Sequence, residues 1–273
     1  MWPILLVDPA AVSVLGAAGA YAAADARVRR LRGHLPRRRA PAAFFTGSAV
    51  LLVALTGPLD AASATSFSAH MVQHLLLTMV AAPLLLLGAP LTLVLLAWPG
   101  APRRALLGAV RSAPARLLTQ PVVAWALFFG VLWGVHLTGL YDAALRSQWI
   151  HALEHLALIA TALLFWMPIV RADPSPSTLS YPARILYLFV AMPAMAFLGL
   201  VLVSATTPLY PTYARVEGAA RAVADQQMAG AIMWAGTMVL IVPALAFVLL
   251  DWMRADEREA RRADERLARA GSA

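Results

Sequence analysis

Two pentapeptides carry the side chains best suited to chemistry: His70-Met71-Val72-Gln73-His74 and His151-Ala152-Leu153-Glu154-His155. In each, the histidines are four residues apart, so on a helix they stack on one face, one turn from each other and within mutual reach. That is the spacing of metal ligands. His136 ends the apolar run between the pairs, and His34 falls in an arginine-rich polar loop. Imidazole suits copper, zinc, iron and nickel, and thioether sulfur from Met71 or Met228 would favour cuprous copper, although both methionines also suit plain core packing. Asp142, Glu154 and Asp225 could ligate directly or orient an imidazole. Asp225 stands where a helix is expected to start and equally suits an N-cap. The chain has no cysteine, which excludes thiolate metal sites, disulfides and thiol switches.

The elements that must position these residues lie in a membrane. Of 273 residues, 61% are hydrophobic and 13% charged, with a mean hydropathy of +0.71, far outside the range of a soluble domain. The expected fold is all-α: a polytopic bundle of seven transmembrane helices over residues 1–250, N-terminus outside, followed by a charged cytoplasmic tail, 251–273. All 22 basic residues are arginine, and the pI near 10.9 invites a nucleic-acid reading. The arginines instead flank apolar spans, where they set orientation, so nucleic acid is set aside as a partner.

The first span is expected from about Ala10 to Ala24, with Gly16 and Ala20 in a close helix contact, and a cytoplasmic loop from Arg27 to Arg39. A second follows from Ala42 to Thr56. The third begins near Phe67, carries His70 and His74, and meets Pro83, Gly88 and Pro90, which imply a kinked or interfacial continuation through Trp98. The fourth runs from Pro121 to about His136, the fifth from Gln148 to Met167, the sixth from Arg184 to Ser204, and the seventh from Asp225 to Leu250, after a long outer loop. Glu257/Arg261 and Glu265/Arg269 give the tail helical charge spacing. This topology places 19 arginines inside and three outside. It also gathers His70, His74, His136, His151, His155 and Asp225 at the outer ends of four spans.

The plainer role of one membrane histidine is an interhelical hydrogen bond. Five at one depth point instead to a bound metal or cofactor, because ionisable residues within spans are costly and usually functional. Rival readings remain. His151-Ala-Leu-Glu-His155 matches the H-x-x-E-H pattern of zinc proteases, facing histidines could bind haem iron, and a histidine-lined bundle could transport copper.

The ordered motifs also resemble a known family. His70-Met-Val-Gln-His74-Leu-Leu-Leu, Ala82-Pro83-Leu-Leu-Leu-Leu-Gly88-Ala-Pro90, Trp149-Ile-His151-Ala-Leu-Glu-His155, Met167-Pro168 and Asp225-Gln226-Gln227-Met228-Ala-Gly230 with Trp234 are similar to the membrane-integral CtaG family of cytochrome c oxidase assembly factors, described for caa-type oxidases. The resemblance spans about residues 40 to 250. An unrelated single-span copper chaperone shares the name but relies on cysteines, which this chain lacks. The resemblance implies a non-enzymatic, multi-pass protein of the bacterial plasma membrane that acts at the copper-acquisition stage of oxidase assembly. Oxidase subunits, and a copper donor, would be its partners. Its implied metal residues are His70, His74, His151 and His155, with His136 and Asp225 beside them.

Overall fold

The computed structural model describes residues 8–33 and 37–271; His34 lies outside them. Every regular element among the described residues is helical. Helix α1 (Pro9–Arg32) starts at Asp8, whose carboxylate accepts from the Ala10 N–H at 2.8 Å, and stops where Gly33 turns left-handed at φ 75°. It therefore runs through Arg27 to Arg32, where a loop was expected. Arginine is a good helix former, and Gly33 supplies the stop. Gly16 and Ala20 face outward rather than into a helix contact. The packed face of α1 is Tyr21, Ala24 and Val28.

Helices α2 (Ala40–Leu55) and α3 (Pro58–Ser63) lead to α4 (Phe67–Leu75), which continues through a π-helical turn (Leu76–Ala81) into α5 (Ala82–Leu87). Pro83 has no N–H for the ladder, and the wider turn before it absorbs the defect. The Trp166 indole N–H, from a neighbouring helix, donates to the buried Thr78 carbonyl at 2.8 Å. Ala89 then adopts φ 48°, and α6 (Pro90–Ala97) sets off in a new direction. The Asp173 carboxylate accepts from the Leu91 and Thr92 N–H groups at 3.1 and 2.7 Å, capping α6 from a distant loop. The kinked continuation inferred from Pro83, Gly88 and Pro90 is thus present.

Short helices α7 (Ala101–Val110) and α8 (Ala113–Leu118) bury no residue. Then come α9 (Pro121–Leu137), α10 (Leu140–Ala144), α11 (Gln148–Val170), α12 (Tyr181–Ser204), α13 (Pro211–Glu217) and α14 (Ala219–Gly271). Where a long outer loop was expected, α13 stands, and α14 begins well before Asp225. Its charged end prolongs the same helix.

Among the described residues, four stretches are long and apolar enough to cross a membrane: Phe67–Ala97, Gln148–Val170, Tyr181–Ser204 and Ala219–Arg266. Helices α2 and α9 are apolar but shorter. The protein is a helical membrane protein. Its main core joins Phe128, Phe165, Leu158, Leu188 and Leu198. Helices α12 and α14 touch backbone to backbone: a Cβ on Gly199 would stand 2.9 Å from the Gly230 carbonyl oxygen. Close approach through glycine is the usual way membrane helices gain packing area.

Candidate metal centre

The first histidine pair sits at the start of α4, and three devices fix that helix end. Ser66 caps it, accepting from the Ala69 N–H at 3.3 Å. Asp225 reaches across from α14 and accepts from the Phe67 N–H at 2.5 Å and the Ser68 N–H at 3.2 Å. A carboxylate at a helix N-terminus answers both the free N–H groups and the dipole. Gln73 ties α4 to its predecessors, donating to the Ala54 carbonyl at 2.7 Å and the Asp60 carboxylate at 3.1 Å.

The second pair is carried by α11, whose face meets α4. His70 and His74 hold their Nε2 atoms 2.9 Å apart. Ring centroids of His70 and His151 are 5.2 Å apart, and those of His74 and His155 5.5 Å. One donor atom from each of His70, His74 and His155 lies within 4.8 Å of the other two, and the same holds for His70, His151 and Glu154. Two helices therefore bring four imidazoles and a carboxylate to one place. His136, at the end of α9, adds its ring 5.5 Å from that of His74.

Burial is nearly complete: His70, His74, His136, His155 and Glu154 are all buried, and His151 is half-buried. Buried polar atoms are normally paired. Here the Nε2 atoms of His136, His151 and His155, the Nδ1 of His74 and both Glu154 oxygens have no hydrogen-bond partner. Such a set of unpaired imidazole nitrogens and carboxylate oxygens fits a cation.

The hydrogen bonds also assign protons. The His136 Nδ1–H donates to the Leu132 carbonyl at 2.8 Å, which leaves Nε2 with its lone pair. The Tyr213 hydroxyl donates to the Ser63 carbonyl at 2.7 Å, so its oxygen is free to accept from Tyr141 at 3.1 Å and from His70 Nδ1 at 3.5 Å. His70 Nε2 is then an acceptor, and the proton on the short contact belongs to His74. Metal–imidazole bonds of about 2.0 Å place two ligand nitrogens roughly 3.3 to 4 Å apart. The 2.9 Å contact is shorter than that, so the two rings would have to separate slightly to hold one ion between them.

An aromatic wall seals the cluster. The ring of Tyr141, on α10, packs at a tilt 4.9 Å from His70 and 5.5 Å from His136, and Phe67 packs 5.1 Å from Tyr141. Tyr210, just before α13, donates its hydroxyl to the His136 carbonyl at 3.0 Å. These tyrosines were missed as site residues, because nothing in the spacing of an outer loop marks which of its aromatics turn inward. The one available signal was their concentration next to the histidine-bearing spans.

Asp225 belongs to neither donor group and does not cap its own helix, which starts at Ala219. Its oxygens are taken up by the N-terminal amides of α4, so it positions the first pair. Met228 is 57% exposed, and Met71 is packed in the hydrophobic core, in line with its plainer reading. Asp142 sits in α10, where Arg146 pairs with it and the Thr212 N–H donates to it at 2.9 Å. Burial works against its charge, but these partners hold its carboxyl below the usual range.

Fold and site together define a helical membrane protein built around a buried histidine cluster. Residues 19–255 match the model of the family described as cytochrome c oxidase caa3 assembly factor (Caa3_CtaG), and the chain belongs to that family. Similar proteins, described only as uncharacterized, occur in Mycobacterium bovis and Mycobacterium tuberculosis, each 33% identical over 267 residues. Another, from Mycobacterium leprae, is 32% identical over 254 residues. These alignments cover 92%, 92% and 89% of this chain, which spans only 40%, 40% and 38% of the relatives' lengths. No solved structure matches it.

Proposed function

We propose that this protein is a copper-binding assembly factor of cytochrome c oxidase. It takes up the ion at the outer side of the bacterial plasma membrane and passes it to the maturing enzyme. The observation that carries the reading is the convergence of His70, His74 and His155 donor atoms within 4.8 Å, beside buried imidazole nitrogens and Glu154 oxygens that have no hydrogen-bond partner. Family membership supports the oxidase as destination. The same reading has seven membrane crossings, with the N-terminus outside and the charged end of α14 in the cytoplasm, and the split of 19 inner and three outer arginines that results supports this orientation.

Copper here is cargo, and the protein performs no turnover of its own. A delivery site must release what it binds. Imidazoles on separate helices allow two- and three-coordinate states that exchange stepwise, whereas a closed tetrahedral cage would hold the ion. His151, half-buried beside His155, extends the same row of donors toward the surface. A porphyrin would need a flat slot between two imidazoles, and Tyr141 and the other rings fill that space, which disfavours haem.

The test is metal analysis of purified protein. Wild-type protein is expected to bind copper, and His70→Ala combined with His155→Ala is expected to abolish binding and oxidase activity while the protein still inserts. Full copper stoichiometry in the double variant would place the site elsewhere.

A further inference from the structure

The donors of the cluster fall into two groups that overlap at one ring. His70, His74 and His155 offer three imidazoles, while His70, His151 and Glu154 offer two imidazoles and a carboxylate. The second group is the more accessible, because His151 is half-buried and the other four side chains are buried. It is also nearer to a binding geometry. His70 Nε2 and Glu154 Oε1 are 4.0 Å apart, a span that two bonds of about 2.0 Å to one ion can bridge, whereas His70 and His74 would first have to separate. His151 Nε2 and both Glu154 oxygens are buried without a hydrogen-bond partner. A carboxylate so placed is costly unless a cation or a donor answers it.

We propose that His70, His151 and Glu154 form a second metal position, selective for a divalent ion such as cupric copper or zinc, beside a three-imidazole position selective for cuprous copper. Ligand type and charge separate the two. A carboxylate oxygen suits the harder ion and neutralises one of its two charges, whereas three neutral imidazoles leave the charge of the ion whole, which costs least when the ion is monovalent. The positions are alternatives. The His70 Nδ1–H is directed at the Tyr213 oxygen, so His70 has only its Nε2 lone pair to give and serves one ion at a time. They also adjoin, since Glu154 Oε1 lies 3.4 Å from His74 Nε2. Glu154 is thus a ligand of one position and a neighbouring charge to the other.

The inference rests on the metal-binding part of the proposed function, and its test separates the two. Purified full-length wild type, Glu154→Gln and His74→Ala are titrated with zinc(II), copper(II) and, without oxygen, copper(I), each against a competing chelator. Glu154→Gln is expected to weaken the divalent ions at least about tenfold more than copper(I), and His74→Ala to weaken copper(I) at least about tenfold more than the divalent ions. Zinc(II) and copper(I) should displace each other from wild type. Pulsed electron paramagnetic resonance of wild type loaded with copper(II) needs no variant and should count two coordinated imidazoles. Three imidazoles, equal losses for both kinds of ion, or zinc(II) and copper(I) bound together would overturn the second position. Zinc(II) bound in a Glu154-dependent way by a protein that takes up neither form of copper would uphold this position and overturn the delivery reading. Wild type that binds none of the three ions would overturn both.

Discussion

The two histidine pairs have identical spacing and different surroundings. His70 and His74 are almost wholly enclosed, touch each other, and stand on a helix end pinned by Asp225, Ser66 and Gln73. Tyr213 orients the His70 ring from behind. His151 and His155 stand on the first turns of α11, where Ser147 makes no side-chain cap, and the Nε2 atoms of both rings are unpaired. Spacing alone gives two imidazoles on one face. The neighbours decide whether that face is a fixed anchor or an adjustable one. In the proposed transfer role, the fixed pair would set where the ion rests and the looser pair would add or release a ligand.

If that contrast is real, substitutions within the two pairs must differ. His70→Ala is expected to weaken copper binding by more than about a hundredfold, beyond what loss of a supporting group usually costs. His151→Ala should weaken it only about tenfold while slowing uptake or release. Isothermal titration with a competing chelator measures both, and equal losses would remove the distinction. Tyr213→Phe probes the support of the fixed pair. Removing the oxygen that accepts from His70 should cost roughly tenfold in affinity, with no loss of the α-helical circular dichroism. An unchanged affinity would mean that His70 is held by packing alone.

Much of this was legible in the sequence, and the limits have physical causes. The histidine positions, the breaks at Pro83 and Gly88, and the apolar helices follow from spacing, missing N–H groups and local hydropathy, which are properties of a few adjacent residues. What could not be read were contacts between residues far apart in the chain. Asp225 has a carboxylate near a helix, which reads equally well as a ligand, a cap of its own helix or a cap of another. Only the approach of α14 to α4 selects the third. The glycines make the same point. Gly16 with Ala20 and Gly130 with Gly134 share a spacing with countless packed pairs, yet both face outward here. Glu154 was visible as part of an H-x-x-E-H match, but its place beside His74 and His70 depends on how α11 lies against α4.

Smaller effects test how the fixed pair is held. Asp225→Asn keeps the shape of the clasp on α4 but removes its charge, and should lower stability by about 1 kcal/mol, within the range for helix caps. Copper affinity should fall less than for Tyr213→Phe, because the imidazoles themselves are untouched. Thermal unfolding in detergent, read beside copper titration, distinguishes the two effects. A fall in affinity without a fall in melting temperature would mean that Asp225 acts on the site directly.

The smallest expected effect comes from the lid over the fixed pair. Asp142 on α10 joins Arg146 and the Thr212 N–H at the start of α13, and so holds Tyr213 and Tyr210 above the cluster. Its carboxyl is held below the ordinary value of 3.8, so the folded state prefers it ionised. The clasp therefore contributes fully above the unfolded value, and its contribution is lost as the pH falls through the lower folded value. Arg146 is 54% exposed on its side chain, so the pair is worth only about 0.5 kcal/mol. Asp142→Asn should lower the melting temperature slightly at pH 7, and the gap from wild type should close as the pH drops below about 4. A gap that persists into acid would mean that the carboxylate's charge does not hold the lid. The tyrosines over His70 would then owe their position to ring packing with Phe67.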